Sequence, residues 1–205
     1  MGLRTENEPP YPQTQAELED YCNRLITSLR EHLGDRLKCV LLCGSWARGE
    51  AKPPDSDVDL AVVIDTVDGQ AMDQLRESWL EAEVGYANVY GADEVPVMSR
   101  IAAAMYTTNA VVLYGHNPFA RPTKADLAEE VALAAEQLAR SARSLELAYW
   151  QTQDQRSRDL DNLLAKWGIK QAFEAVVGFR TGEYPRNQTD LELKLAGTPE
   201  GDFWK

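Results

Sequence analysis

Two aspartates separated by a single residue, Asp57 and Asp59, stand at the start of an apolar segment that ends at Ile64. Residues two apart in a β-strand point to the same face, so this spacing predicts adjacent carboxylates, with Val58 turned to the other face. Adjacent like charges are costly unless a cation lies between them. Paired oxygen ligands suit Mg²⁺ that also contacts substrate phosphates, and two such ions stabilise both oxygens of an in-line displacement. We therefore predict that Asp57 and Asp59 are metal ligands and catalytic residues.

A second pair of residues, Gly44 and Ser45, follows the short apolar run Leu37 to Cys43. Glycine lets the backbone approach a ligand closely, serine supplies a hydroxyl, and the N–H groups at a helix start attract anions. We predict that Gly44 and Ser45 bind phosphate. The following loop adds side chains that could contact a nucleotide or neutralise its charge, although its two cations are equally well explained as solvated groups. These side chains are Arg48, Lys52 and Ser56.

Short strands and helices that alternate as far as Gly115 must position these residues. The hydrophobic spacing predicts helices over Ala16–Leu33, Met72–Ala82 and Val97–Asn109, and strands over Leu37–Cys43, Val58–Ile64, Val84–Tyr90 and Ala110–Tyr114. The fold class is therefore α/β (α+β) in this part of the chain.

The chain changes character after the proline-containing stretch 116–123. Apolar residues then recur at three- and four-residue steps, which predicts long helices over Asp126–Gln151 and Asp159–Arg180 and a short one over Leu191–Leu195. We predict a flexible tail at residues 1–15, an α/β domain at 16–116 and an all-α helical bundle domain at 124–205.

Composition restricts the classes of protein. The formal net charge of -12 disfavours broad nucleic-acid binding, which depends on clustered Lys and Arg. No apolar run is long enough to span a membrane, and the N-terminus does not have the pattern of a secretory signal. Two histidines argue against a histidine-based metal cluster, and three cysteines without zinc-finger spacing indicate buried thiols in a reducing, cytoplasmic compartment.

The segment from Leu42 to Leu60, with Gly-Ser followed by Asp-Ser-Asp-Val-Asp, resembles the signature of the nucleotidyltransferase superfamily that includes DNA polymerase beta, especially its minimal nucleotidyltransferase branch. The resemblance implies a mixed sheet flanked by helices. It also implies Mg²⁺-dependent transfer of a nucleoside monophosphate from a nucleoside triphosphate to a hydroxyl. Carried over by position, Gly44 and Ser45 would bind the triphosphate, and Asp57 and Asp59 would hold the metal.

The sequence departs from that family at the third acidic position. Active members supply a third carboxylate from a later strand, where this chain places Asn88. An amide can coordinate a metal, but it cannot accept a proton from the attacking hydroxyl. If the strand register differs by one residue, other carboxylates become candidates. They are Glu83, Asp93 and Glu94.

The helical half resembles the partner domains of two groups: aminoglycoside (kanamycin-type) nucleotidyltransferases and HEPN-type bundles. The stretch 165–172 loosely resembles the central helix of both. Within it, Lys166 and Lys170 lie one helical turn apart and could reach nucleotide phosphates, or they belong to a solvated face. HEPN ribonucleases use an Arg followed by a His; Arg180 and Arg186 have no such partner in this half, which disfavours RNase activity.

Two functions follow from the sequence. The first is an enzyme that transfers a nucleoside monophosphate, AMP from ATP, to a hydroxyl of a small molecule or a protein, with Mg²⁺. The acidic composition would suit a cationic acceptor. The alternative is a fused nucleotidyltransferase–HEPN-like regulatory or toxin–antitoxin-type module that binds nucleotide with little or no turnover. The sequence predicts no membrane partner, and it leaves a homodimer open.

Overall fold

The structure is a computed structural model that describes residues 11–54, 56–83, 87–133 and 169–204. The chain forms two compact units. The first comprises Met1–Met98 with Asn109–Ala120, and the second comprises Ser99–Thr108 with Arg121–Lys205. The domain limits 16–116 and 124–205 stay a prediction, and Ser99–Thr108, which lies by number inside the first of them, packs with the second unit.

Helix α1 spans Gln15–Leu33 and confirms the first predicted helix, with one more residue at its start. The Thr14 hydroxyl accepts a hydrogen bond from the Glu17 N–H at 3.2 Å, so the helix begins on a side-chain cap. Leu25 and Leu29 lie at helical spacing and are fully buried. The helix ends at Gly34, whose φ of 53° favours glycine and whose N–H bonds to the Arg30 carbonyl.

The first unit contains a four-stranded mixed sheet, which confirms the predicted fold class. Its strands are β1 (Leu37–Leu42), β2 (Leu60–Ile64), β3 (Asn88–Gly91) and β4 (Val111–Gly115), in the order β3-β2-β1-β4. Strand β1 is antiparallel to β2 and β4, whereas β2 and β3 are parallel. The helices are α2 (Gly44–Ala47) and α3 (Gly69–Ala82), with 3-10 turns at Gly34–Arg36 and Val95–Val97.

The two faces of the sheet carry different residues. Val40, Leu42 and Val62 belong to one core cluster with the buried residues of α1 and α3. The alternate residues Leu41 and Ala61 are partners in the ladder and are also fully buried, on the opposite face. Asp59 lies two residues before Ala61, so the strand pattern assigns it to this second face.

Several predicted starts were wrong by two residues or more. Helix α3 begins at Gly69 rather than Met72, and the helix predicted over Leu191–Leu195 begins at Gln188. Strand β2 begins at Leu60 rather than Val58, because its regular pairing with β1 starts there. Before Leu60, the Cys43 N–H donates to the Asp59 carbonyl at 2.7 Å. Strand β3 begins at Asn88, although residues 84–86 of its predicted span lie outside the described part. Helix α4 (Arg100–Thr108) begins at Arg100 rather than Val97, after a 3-10 turn that contains Pro96.

The second unit is helical in its described part. It contains α4 (Arg100–Thr108), helical residues 124–133 (α5) and 169–181 (α6), α7 (Gln188–Leu195) and α8 (Pro199–Trp204). The predictions over Asp126–Gln151 and Asp159–Arg180 are confirmed at 124–133 and 169–181, and their other residues lie outside the described part. Ile101, Ala104, Ala175 and Tyr184 form one buried cluster of this unit. No helix among the described residues has the length and apolarity needed to cross a membrane.

Candidate functional site

Asp57 and Asp59 lie on the extended segment that leads into β2. Both side chains are exposed, and Val58 between them is 4% exposed and packs in the core with α1 and α3. The alternation predicted from the sequence is therefore present, even though regular pairing begins only at Leu60. Burial of Val58 fixes the direction of the segment and turns both carboxylates away from that core.

Gly44 lies directly against the Asp59 carboxylate. Its φ is 65°, in the left-handed region, and a Cβ atom built on it would overlap Asp59 Oδ2. Any residue other than glycine would therefore be strained in its backbone and would displace the carboxylate. This packing joins the two halves of the predicted site, which are 15 residues apart in the sequence.

Cys43 connects the same two segments through the backbone. Its N–H donates to the Asp59 carbonyl at 2.7 Å, and its thiol is buried. Burial raises the pKa of the Cys43 thiol to about 12, and the nearby negative charge of Asp59 adds to the rise. Cys22 and Cys39 are also free and buried, with pKa values raised by burial to about 11. These thiols are therefore protonated structural groups at neutral pH.

Ser45 belongs to α2, which is a single turn of four residues. The turn closes tightly, because the Glu50 N–H donates to the Ser45 carbonyl at 2.9 Å and Gly49 adopts a φ of 70°. A helix of this length has little macrodipole, so the helix-end contribution expected from the sequence is small. The remaining basis for phosphate binding at this position is the backbone approach at Gly44 and the Ser45 hydroxyl.

Arg48 and Ser56, two of the three loop side chains predicted at this site, have partners within the loop, and the third, Lys52, is exposed. Arg48 Nε donates to Glu50 Oε2 at 2.8 Å. The Lys52 backbone N–H donates to Ser56 Oγ at 2.7 Å, and the Ser56 N–H donates back to the Lys52 carbonyl at 3.2 Å. Ser56 therefore closes the loop between positions 52 and 56, and its assignment to nucleotide binding stays a prediction.

Asn88 lies on the same face of the sheet as Asp59. It is the parallel partner of Ala61, and paired residues of neighbouring strands point to one side. The next residue, Val89, packs into the core of α1 and α3 on the other face. The register therefore places an amide on the strand beside β2, on the face that Asp59 occupies, and its equivalence to the third carboxylate of the family stays a prediction.

The three alternative carboxylates lie elsewhere. Glu83 has its Oε2 3.9 Å from Arg24 Nη1 of α1, on the helical side of the sheet. Asp93 and Glu94 follow the far end of β3, where Glu94 Oε2 accepts a hydrogen bond from the Gly91 N–H at 2.7 Å. Asp59 stands at the near end of β2, and a five-residue strand separates the two ends by roughly 16 Å. A one-residue error in register does not remove that separation.

The predicted contributions from the helical half remain predictions. Lys166 lies outside the described residues. Lys170 Nζ lies 3.6 Å from Glu174 Oε1, and Glu174 also accepts a hydrogen bond from the Tyr184 hydroxyl at 2.7 Å. Arg180 binds Glu200 through two hydrogen bonds, which gives this arginine a structural role in the second unit.

The donor atoms of the site suit a magnesium ion held partly by its substrate. No three His, Cys, Asp or Glu side chains in the described part of the chain are arranged to hold a metal ion. Asp57 and Asp59 supply two carboxylates, and Asn88 can supply an amide oxygen. Mg²⁺ is commonly bound by one or two carboxylates together with waters and substrate phosphates. The residues therefore fit an ion that arrives with a polyphosphate, and a preformed protein cage is not required.

Comparison with known proteins agrees with this geometry. Residues 22–99 match the family model of the nucleotidyltransferase domain. The match covers less than half of the chain, and it includes Gly44, Ser45, Asp57, Asp59 and Asn88. The resemblance to nucleotidyltransferases is thus confirmed for this segment, whereas the HEPN-like or kanamycin-type character of the helical half stays a prediction. No curated protein matches the chain.

Two solved structures are similar to part of the chain. A toxin–antitoxin with AMP-PNP is 19% identical, covers 62% of this chain and 94% of its own, and has a TM-score of 0.35. A mutant of the toxin–antitoxin MntA-HpeT with two Asp-to-Glu changes is 16% identical, covers 62% of this chain and 97% of its own, and has a TM-score of 0.35. At this level of similarity, neither structure bears on function.

Sequence reasoning missed one charged residue near the site, Glu50. Its backbone is bonded to Ser45 and its carboxylate to Arg48. The sequence contained a signal for this arrangement, since Gly49 between two opposite charges permits a tight reversal of the chain.

Proposed function

We propose that this chain is an enzyme that transfers a nucleoside monophosphate, AMP from ATP, to a hydroxyl of a small molecule or a protein. The observation that supports the proposal is the contact between Gly44 and the Asp59 carboxylate. It supports the proposal because Gly44, whose backbone we expect to bind phosphate, lies against one of the two exposed carboxylates. The match of residues 22–99 to the nucleotidyltransferase domain supports the same reaction class.

In this proposal, Gly44 and Ser45 bind the triphosphate, and Asp57 and Asp59 hold Mg²⁺, with Asn88 as a neutral oxygen ligand. The ion would neutralise charge on the phosphates and polarise the α-phosphorus. The acceptor oxygen forms a bond to that phosphorus as the bond to the bridging oxygen of the β-phosphate breaks, and pyrophosphate leaves. The hydroxyl proton passes to solvent or to the acceptor's own base, because the Asn88 amide cannot take it.

Asn88 supports a second candidate, a module that binds nucleotide with little or no turnover. Without a carboxylate at this position, Asn88 itself cannot act as a base toward the acceptor hydroxyl. General-base assistance is worth about 10²–10⁴-fold in rate, so its loss permits either slow transfer or binding alone. In the second candidate the helical half would respond to nucleotide occupancy, as in a regulatory or toxin–antitoxin-type module.

The first candidate is tested by incubating the full chain with Mg²⁺ and ATP labelled at the α-phosphate. The acceptor panel contains neutral and cationic small molecules with hydroxyl groups, and a protein mixture. We expect label transfer by the native chain and none by Asp57→Asn combined with Asp59→Asn. The matched control combines Asp20→Asn and Asp73→Asn, which makes the same change in charge on exposed positions of α1 and α3.

The second candidate is tested with Asn88→Asp in the same assay. Native chain that binds ATP without transferring label, together with transfer by Asn88→Asp, would favour the binding module. Robust transfer by the native chain would rule that module out. Equal transfer by the native chain and the Asp57/Asp59 double variant would contradict the assignment of the site itself.

A further inference from the structure

The loop that follows α2 holds an arginine and a glutamate against each other beside Ser45. Gly49, with its φ of 70°, reverses the chain so that the Glu50 N–H reaches the Ser45 carbonyl at 2.9 Å. The Glu50 carboxylate then accepts a hydrogen bond from Arg48 Nε at 2.8 Å. The residue that carries this carboxylate is therefore hydrogen-bonded, through its own backbone, to the segment that is expected to bind phosphate.

The contact is partly enclosed. The Arg48 side chain is 24% exposed and the Glu50 side chain 42% exposed, so the guanidinium is the more enclosed partner. The two residues are two apart on a loop closed by a backbone hydrogen bond, which limits the ways in which they can separate. A carboxylate oxygen and a phosphate oxygen are equivalent acceptors for a guanidinium. Glu50 thus occupies Arg48 in the way that a phosphate would.

We propose that Glu50 tunes the affinity for polyphosphate: its carboxylate occupies the Arg48 guanidinium as a substitute for phosphate and is displaced when a polyphosphate binds. The inference rests on the proposed function in one respect, namely that the phosphates of the ligand reach the loop next to Ser45. It extends that function, because it assigns a role to a residue outside the Gly-Ser and Asp-x-Asp pattern.

Charge explains why a polyphosphate can displace the Glu50 carboxylate from Arg48. A polyphosphate carries several negative charges, so its attraction to Arg48 exceeds that of one carboxylate at a similar distance. A nucleoside without phosphates has nothing to offer the guanidinium and leaves the Arg48–Glu50 contact in place. Glu50 therefore lowers the affinity for ligands whose phosphates contact Arg48, and it does not affect the binding of a nucleoside.

The test measures binding of ATP, inorganic tripolyphosphate and adenosine to the full chain by calorimetry at one ionic strength. The variants are Glu50→Gln, Arg48→Ala and the double variant. Glu19→Gln, on an exposed position of α1, makes the same change in charge away from the loop. We expect Glu50→Gln to bind ATP and tripolyphosphate about three- to fivefold more tightly than the native chain, as suits a partly exposed ion pair. Glu50→Gln should not alter the affinity for adenosine. Glu19→Gln should bind ATP and tripolyphosphate as tightly as the native chain does.

The double variant isolates the mechanism. In the Arg48→Ala background, Glu50→Gln should lose its gain in affinity, apart from a small change from repulsion between the carboxylate and the ligand. Melting temperatures identify any variant that fails to fold, in which case Glu50→Ala replaces Glu50→Gln. Unchanged or weaker polyphosphate binding in Glu50→Gln, an equal gain for adenosine, or a full gain without Arg48 would each overturn the proposal.

Binding of ATP and of tripolyphosphate distinguishes failure of this proposal from failure of the proposed function. If tripolyphosphate binds more tightly to Glu50→Gln while ATP does not bind at all, the role of Glu50 stands and the nucleotide function fails. If ATP binds the native chain and Glu50→Gln has no effect, the nucleotide function stands and the role of Glu50 is contradicted. If neither ligand binds either protein, the proposal is overturned because Arg48 then receives no phosphate.

Discussion

At the scale of single residues, the most informative feature is the packing of Gly44 against the Asp59 carboxylate. The position of Asp59, a proposed metal ligand, depends on the absence of a side chain at Gly44, a proposed phosphate-binding residue. Gly44 therefore has two requirements to meet, a left-handed backbone and an empty Cβ position, and only glycine meets both.

We predict that Gly44→Ala weakens Mg²⁺-dependent ATP binding by at least about tenfold, because the new methyl group displaces Asp59. The left-handed backbone adds a cost of roughly 1–2 kcal/mol to the free energy of folding. Gly69→Ala is the control, since Gly69 has no positive φ and no atom within 4 Å of a built Cβ. Calorimetry and thermal melts measure both effects, and unchanged ATP binding in Gly44→Ala would contradict the coupling.

The residue scale also shows what the sequence could and could not predict about the site. The spacing of Asp57 and Asp59 predicted their common face, because burial of Val58 enforces the alternation. The third position was open in the sequence, since a strand of four residues gives little periodicity from which to fix a register. Only the pairing of Asn88 with Ala61 settles which face Asn88 occupies.

At the scale of elements, Arg36 ties the loop after β2 to the end of α1. Its Nε donates to Asp65 Oδ1 at 3.0 Å, and its Nη2 donates to Asp68 Oδ2 at 2.8 Å and to the Thr66 carbonyl at 3.0 Å. Asp68 is also the N-cap of α3, where its side chain accepts from the Ala71 N–H. One arginine therefore connects the beginning of α3 to the strand that carries the candidate site.

We predict a pH dependence of stability from these contacts. Hydrogen bonds from Arg36 hold the pKa of Asp65 and the pKa of Asp68 below the ordinary value of 3.8. A carboxyl whose pKa is lower in the folded state contributes stability that is fully present above 3.8 and is lost as the pH falls through the folded value. Thermal melts between pH 7 and pH 3 should show less acid destabilisation in Arg36→Ala than in the native chain. Parallel curves for the two proteins would contradict this account.

Elements with a clear apolar run or a clear end signal were predicted within one residue, including the short strands β1 and β4. Helix α1 was predicted within one residue because its buried positions recur over five turns and both ends carry capping residues. The start of β2 was missed because Asp57 to Asp59 are extended without regular pairing, and extended backbone has the same periodicity as a paired strand. Helix α8, six residues that include a proline and a glycine, has too little periodicity to be recognised.

At the scale of the whole chain, two units each have a core of their own described residues. The second unit contains a buried polar contact in which the Tyr184 hydroxyl donates to Glu174 Oε2 at 2.7 Å. Burial raises the pKa of Tyr184 well above its usual range, and the Glu174 carboxylate reinforces the rise. The hydroxyl therefore remains a donor at neutral pH.

We predict that Tyr184→Phe destabilises the second unit by about 1–3 kcal/mol, because the buried Glu174 carboxylate loses a donor. The combined change Tyr184→Phe and Glu174→Gln should recover part of the lost free energy of unfolding, because it also removes the Glu174 charge that the Tyr184 hydroxyl no longer stabilises. Denaturant unfolding measures both free energies. Full stability in Tyr184→Phe alone would show that the contact contributes nothing.

Both candidate functions require that Asp57 and Asp59, together with Gly44 and Ser45, bind a nucleotide and its metal. Calorimetric titration of ATP into the full chain, with and without Mg²⁺, tests this requirement most directly when it is repeated on Asp57→Ala combined with Asp59→Ala. We predict that Mg²⁺ tightens ATP binding to the native chain and that the double variant loses at least about tenfold of that affinity. Equal Mg²⁺-dependent binding by the two proteins, or no binding by the native chain at millimolar ATP, would contradict it.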